Sequence, residues 1–194
     1  PFGLLRVVTN IDEVEIYGAE IDFAYALNEY FTFSGGYGII DTEIEENANR
    51  PYTEGNDLPY APEASGALSV DFKAPVFGDL ELTTRLDYQY VGETWFHSVQ
   101  ENETQNFFTD LSDVYGVPGF GFGPSDYSQT SRDDYWTMNL RAGLHGENWS
   151  IVAWSNNITD EDYLEEVIPA PEFGGSFNHD SAGRISGVDF TYHF

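Results

Sequence analysis

The chain has 194 residues, enough for one domain, and no cysteine, which excludes a disulfide framework and a thiolate metal site. Its formal net charge of -27 argues against nucleic acid as a partner, because phosphate contacts need a basic surface. No apolar run approaches the eighteen or so residues of a membrane helix, although 16% of the residues are aromatic.

Apolar and polar residues alternate with a period of two along most of the chain, a pattern typical of strands with one apolar and one polar face. The sixth predicted strand alternates poorly after Ala153, so its facing is left open. The seven predicted strands, in chain order, cover residues 14–27, 30–39, 65–73, 80–90, 136–144, 149–158 and 185–194.

The strands and their connections favour a membrane barrel. At ~3.3 Å per residue, a strand of about twelve residues tilted by about 40° spans roughly 30 Å, close to the hydrocarbon thickness of a bilayer. Short turns on one side and long loops on the other are typical of outer-membrane barrels. The short connections are 28–29, 74–79 and 145–148, and the long ones are 42–64, 96–131 and 159–181.

A soluble β-sandwich or jelly roll would also alternate and also carry aromatic residues. The aromatic residues here, however, cluster at both ends of the apolar faces, as in the two aromatic girdles of a membrane barrel. They are Phe31, Phe72, Trp149 and Tyr192 near the short turns, and Tyr90, Trp95 and Trp136 near the long loops.

The last strand, GRISGVDFTYHF, resembles the C-terminal strand of Gram-negative outer-membrane barrels. In those proteins a terminal aromatic residue, preceded by alternating apolar residues and an upstream glycine, is the signal that the barrel-assembly machinery reads. The matching residues, which we predict to be an assembly signal, are Gly187, Phe190, Tyr192 and Phe194.

More of the chain resembles the TonB-dependent outer-membrane receptors. The segments that carry the resemblance, in the order of the family, are NIDEVEIYGAEIDFAYALNEYFTFSGGYGIIDTEIEE, GNDLPYAPE, RLDYQYVGETWF, NNITDEDY and GRISGVDFTYHF. The resemblance implies an all-β antiparallel meander forming the C-terminal part, residues 1–194, of a barrel of about twenty-two strands. Because the chain has neither the plug domain nor the energy-coupling box of such receptors, and does not begin with methionine, we expect it to be a fragment.

The sequence evidence for a catalytic, metal or phosphate site is weaker than this family resemblance. Glu20 and Asp22 could form a glycosidase pair, but a polar barrel lining is favoured. Residues 159–166, TDEDYLEE, could bind calcium, but they lack the glycine and spacing of a calcium loop. The Gly-rich residues 116–124 lack the lysine of a phosphate loop. The histidines, which have no metal-ligand spacing, are His97, His145, His179 and His193. No enzymatic activity, metal or cofactor is expected.

The resemblance implies active import of a scarce nutrient, such as a ferric siderophore, across the outer membrane of a Gram-negative bacterium. The implied partners are outer-membrane lipid, the barrel-assembly machinery, the TonB complex through the missing N-terminal part, and a small ligand. A passive porin and a soluble carbohydrate-binding or hydrolytic β-protein are the alternatives. The acidity has two interpretations, attraction of cationic or metal-bearing ligands and adaptation of a whole proteome to salt water, of which the second is favoured.

One contact tests the predicted register. If residues 74–79 close a hairpin, Lys73 and Glu81 lie nearly opposite each other on the polar face and form an ion pair.

Overall fold

The computed structural model describes residues 10–100, 127, 130–170 and 175–194. No helix in these ranges is long and apolar enough to cross a membrane. A short 3-10 turn, Pro51–Thr53, follows the second strand. The strands are β1 Glu13–Ala26, β2 Phe31–Glu46, β3 Ala64–Pro75, β4 Glu81–Val91, β5 Thr94–Trp95, β6 Ser131–Arg132, β7 Tyr135–His145, β8 Trp149–Asn156, β9 Leu164–Ala170, β10 Gly175–Asp180 and β11 Ile185–Tyr192.

Seven of these strands form one antiparallel sheet in the order β1-β2-β3-β4-β7-β8-β11, which confirms the predicted all-β meander. The sheet does not close, because β1 and β11 each pair on one side only in the described residues. An open sheet of this kind is consistent with part of a larger barrel. The other strands form two small sheets, β5 with β6 and β9 with β10.

The cross-strand register places the apolar side chains of neighbouring strands on the same face of the sheet. Leu86 of β4 lies opposite Val70 of β3 on one side and Leu140 of β7 on the other, so all three side chains share a face. The apolar faces predicted for these strands are therefore confirmed. In β8, Ala153 lies opposite Val188 of β11, which settles the open question of facing: Ala153 is on the apolar face, and its neighbour Trp154 is on the polar face.

The polar face carries its own bonds. Nζ of Lys73 lies 3.0 Å from Oε1 of Glu81, which confirms the predicted ion pair, although the direct cross-strand partner of Lys73 is Thr83. Arg85 donates from Nε to Asp87 at 2.9 Å and from Nη1 to Asp71 at 3.3 Å. These partners come from two adjacent strands, so one guanidinium links β3 to β4.

The long connections contain more structure than the sequence predicts. Residues 42–46, predicted as loop, continue β2, because they pair with β1 beyond the predicted strand end, with Thr42 opposite Ile16. The predicted loops 96–131 and 159–181 also overlap strands. Ser131 and Arg132 of β6 pair with β5, and β9 and β10 form a hairpin. The acidic composition of β9 hides its alternation.

The buried hydrophobic residues lie mostly outside the seven-stranded sheet. Among the described residues they are Ile44, Phe96, Val99, Val167 and Ala170. In contrast, large side chains on the apolar face of the sheet stay exposed, for example Phe190 at 65%. A sheet with such a face needs lipid or another apolar partner to cover it.

We expect Leu140→Arg to destabilise the full-length protein by about 2–4 kcal/mol, because it places a charge near the middle of the apolar face in lipid. Gln89→Arg, on the polar face of β4, should cost far less. The measurement is a urea titration of each variant refolded into bilayers. Equal costs at both positions would contradict a lipid-facing apolar surface.

Candidate functional site

The long connections gather at one side of the sheet and contact one another. We call this part of the molecule the outer cluster. Its three segments are the first segment, residues 47–63, the second segment, residues 92–100 and 130–134, and the third segment, residues 157–170 and 175–184.

Side-chain amides join the first segment to the second. Gln100 donates from Nε2 to the Asp57 carbonyl at 2.8 Å, and its Oε1 accepts from the Asp57 N–H at 3.1 Å. Asn56 donates from Nδ2 to the Ser98 carbonyl at 2.9 Å. The GNDLPYAPE segment therefore fastens its loop to the next one before the chain enters β3.

An acidic cleft of about 310 Å³ opens beside this junction. Burial raises the pKa of Asp57, although the Thr42 hydroxyl that donates to it opposes the shift. Burial, together with the neighbouring carboxylate of Glu63, also raises the pKa of Glu93. Such a lining disfavours anions and favours neutral or cationic groups. The residues lining the cleft are Ile40, Asp41, Thr42, Asp57, Ala61, Glu63, Glu93 and Trp95.

The NNITDEDY segment forms a turn held by its own side chains. Asn157, in the left-handed region at φ 49°, donates to the Glu161 carbonyl at 2.8 Å and accepts from the Glu161 N–H at 3.0 Å. Asp160, at φ 58°, accepts from the Arg184 N–H at 2.7 Å. This motif consequently ties the exit of β8 to the start of β11. No metal-binding group of three or more His, Cys, Asp or Glu occurs in the described residues, which include 159–166.

Arg132 is the residue of the outer cluster that sequence reasoning missed. It donates to groups from the second and third segments and lies against two aromatic rings. The sequence feature that could have pointed to Arg132 is the scarcity of basic residues, because the chain has only 7 Lys and Arg against 34 Asp and Glu. In such a chain each basic residue is a candidate for a specific role.

The four histidines lie in different surroundings. His97 is half-buried and accepts the Val99 N–H at Nδ1, while its ring stacks on Tyr127 at 4.9 Å. His145 shares a hydrogen bond of 2.9 Å with Thr83 on the polar face. His179 lies 3.5 Å from Glu165. His193 donates its backbone N–H to the Asn148 carbonyl at 2.8 Å.

Of the other candidates, Glu20 and Asp22 lie on the polar face of β1, where the Asp22 carboxylate covers Gly36. Residues 116–124 lie outside the described residues.

The predicted assembly-signal residues occupy both faces of β11 and its end. Phe190 and Tyr192 are exposed on the apolar face, and Phe194 packs edge-on against Tyr192 at 5.1 Å. Gly187 is on the polar face, opposite Trp154. A Cβ at Gly187 would lie 2.6 Å from Cζ2 of Trp154, so this glycine makes room for the indole ring.

We expect Gly187→Ala to destabilise the full-length protein by about 1–3 kcal/mol through overpacking. The penalty should largely disappear in the background of Trp154→Leu, and Gly38→Ala should be tolerated, because a Cβ there meets its nearest atoms at 3.9 Å. Urea titrations and the amount of assembled protein in cells are the measurements. If Gly187 acts only through recognition by the assembly machinery, Trp154→Leu will not restore assembly.

The outer cluster should loosen in mild acid. Burial, followed by the charge of Arg50, lowers the pKa of His97, so the fold favours the neutral imidazole. Its contribution to stability is complete above the unfolded pKa of about 6.5 and is lost as the pH falls below it. Hydrogen-exchange protection factors at residues 96–100, which correct for the intrinsic pH dependence of exchange, should fall below that pH in the full-length protein. His97→Gln should remove this pH dependence, and an unchanged pH profile would contradict the assignment.

Comparison with solved structures shows the same fold in larger proteins. The ferric yersiniabactin uptake receptor FyuA from Yersinia pestis is 16% identical with a TM-score of 0.71, over 93% of this chain and 24% of that one. The ferripyoverdine receptor of the outer membrane of Pseudomonas aeruginosa is 15% identical with a TM-score of 0.62, over 92% and 19%. The copper transporter OprC is 13% identical with a TM-score of 0.56, over 93% and 23%. The chain thus spans less than a quarter of each of these proteins.

A family match covers most of the chain. Residues 2–158 match the family described as TonB dependent receptor-like, beta-barrel. The matched region runs from before β1 to the end of β8 and so includes six strands of the main sheet. Together with the open seven-stranded sheet and its long connections on one side, this match establishes that the chain belongs to the TonB-dependent receptor β-barrel family.

Proposed function

We propose that this chain is the C-terminal part of an outer-membrane receptor that imports a scarce nutrient, such as a ferric siderophore, with energy supplied through TonB. The observation that carries the proposal is family membership over residues 2–158. The ferric yersiniabactin uptake receptor and the ferripyoverdine receptor, which binds ferripyoverdine, have the same fold. The plug domain and the TonB contact would come from sequence outside the chain.

The partners of the sheet follow from its two faces. The exposed apolar face would contact outer-membrane lipid, with aromatic rings at its margins, as in the stacked pair Tyr88 and Trp136, 5.7 Å apart. The exposed rings of Phe190, Tyr192 and Phe194 would be available to the barrel-assembly machinery before the open edge of β11 pairs with a second strand. The open edges of β1 and β11 would pair with strands of the same barrel.

The outer cluster would provide part of the ligand-binding side. Asp41, Glu63 and Glu93 around the cleft would repel a ferric complex that carries several negative charges, such as a ferric tricatecholate. A neutral or cationic ferric chelate, such as a hydroxamate complex, would not meet this repulsion. We therefore propose a ligand of low negative charge.

The function is tested by uptake of ⁵⁵Fe in a deletion strain complemented with the full-length gene. We expect ferric hydroxamate uptake to be restored by the gene and abolished when TonB is deleted, because transport needs the energised complex. A ferric tricatecholate should be taken up less well. Its uptake should fall further at low ionic strength, because the repulsion is strongest there.

Uptake that continues without TonB would contradict active transport and indicate a porin. Preferential uptake of the tricatecholate would contradict the proposed ligand charge but leave TonB-dependent import intact.

A further inference from the structure

We propose that Arg132 is a positioning residue that couples the three segments of the outer cluster, so that they hold or loosen as one unit. That these segments form the ligand-binding side rests on the proposed function, whereas the coupling itself does not.

Two hydrogen bonds of Arg132 join the second segment to the third. Nη1 donates to the Leu164 carbonyl at 2.8 Å, where β9 begins. Nη2 donates to Oγ1 of Thr94 at 3.1 Å, and this hydroxyl in turn donates to the Gly92 carbonyl at 3.0 Å. One side chain on β6 therefore holds the start of the hairpin β9–β10 against the end of β4.

A row of rings extends from the same guanidinium towards both other segments. Its Cζ lies 4.6 Å from the centroid of the Tyr135 ring and 5.4 Å from that of Phe96. Tyr135 stacks on Tyr163 of the third segment, with centroids 3.8 Å apart and planes 13° apart. Phe96 packs edge-on against Tyr60 of the first segment at 5.5 Å. Arg132 thus lies at the centre of a row that ends in the first and third segments.

Tyr60 closes the arrangement between the first and third segments. Its hydroxyl donates to Glu166 at 3.0 Å, and its backbone N–H donates to the Trp95 carbonyl at 2.7 Å. Each segment is consequently bonded to both others. Release of the central guanidinium would remove support from Phe96 and Leu164 at once, and through them from Tyr60.

The surroundings of Arg132 favour a geometric role over a purely electrostatic one. Among the described residues Arg132 forms no ion pair, in a chain with 34 Asp and Glu. Its Nε is buried without a hydrogen-bond partner in the described part of the chain. The planar guanidinium can stack on rings while its separate Nη1 and Nη2 groups donate to two acceptors, whereas all donors of a lysine ammonium lie on one compact nitrogen that has no flat face.

Hydrogen exchange of the full-length receptor without ligand tests the coupling. In Arg132→Met we expect about tenfold faster exchange in residues 57–63 and in residues 163–168 together, because local opening of one segment frees the other. Arg132→Lys should behave like Arg132→Met, since the positive charge alone does not replace the two separate Nη donors of the guanidinium. Arg184→Met is the matched control: Arg184 bonds within the third segment, to Asp160 and the Ile158 carbonyl, so residues 57–63 should stay protected.

A second variant covers the case in which Arg132→Met fails to assemble. Tyr60→Leu leaves Arg132 in place and should accelerate exchange in residues 163–168, since it removes the bond to Glu166. The proposal is overturned if loosening stays confined to the direct contacts of Arg132, if Arg132→Lys retains full protection, or if Arg184→Met loosens residues 57–63 equally. Uptake is measured separately, so a failure of the coupling and a failure of the transport function are distinguishable.

Discussion

The cross-strand register of the main sheet is the constraint on which the rest of the molecule depends. A shift of one residue in any strand would move its apolar side chains to the polar face, because side chains alternate strictly along a strand. Glycines support this register where a bulky neighbour needs space. On the apolar face the Phe23 ring lies over Gly35 and the Tyr37 ring over Gly66, while on the polar face Trp154 lies over Gly187.

The main sheet and the outer cluster differ in how their apolar side chains are covered. The apolar face has no protein layer over it in the described residues, and its large side chains remain exposed. The outer cluster instead buries apolar side chains of its own, among them Val99 and Val167. The sheet thus depends on lipid and on neighbouring strands, whereas the outer cluster depends on contacts among the three segments.

The sequence predicts the sheet well and the outer cluster poorly, for a physical reason. Alternation within a strand is local, so the apolar faces, the seven strands and the ion pair between Lys73 and Glu81 could all be predicted. The contacts of Arg132 with Leu164 and of Tyr60 with Glu166 join residues 32 and 106 positions apart. No period in the sequence encodes such pairs. The β9–β10 hairpin was missed because acidic residues interrupt its apolar pattern.

The bonding inside the outer cluster explains how a chain with a net charge of -27 keeps its loops together. Amides and hydroxyls make most of the buried bonds. Asn47 donates to Oγ1 of Thr53 at 2.9 Å, and Gln100 pairs with the backbone of Asp57. Neutral groups are cheaper to bury than ion pairs, because they lose less hydration. Only a few carboxylates, such as Glu166 and Asp160, take part in holding the segments. Those around the cleft set the electrostatic potential that an arriving ligand meets.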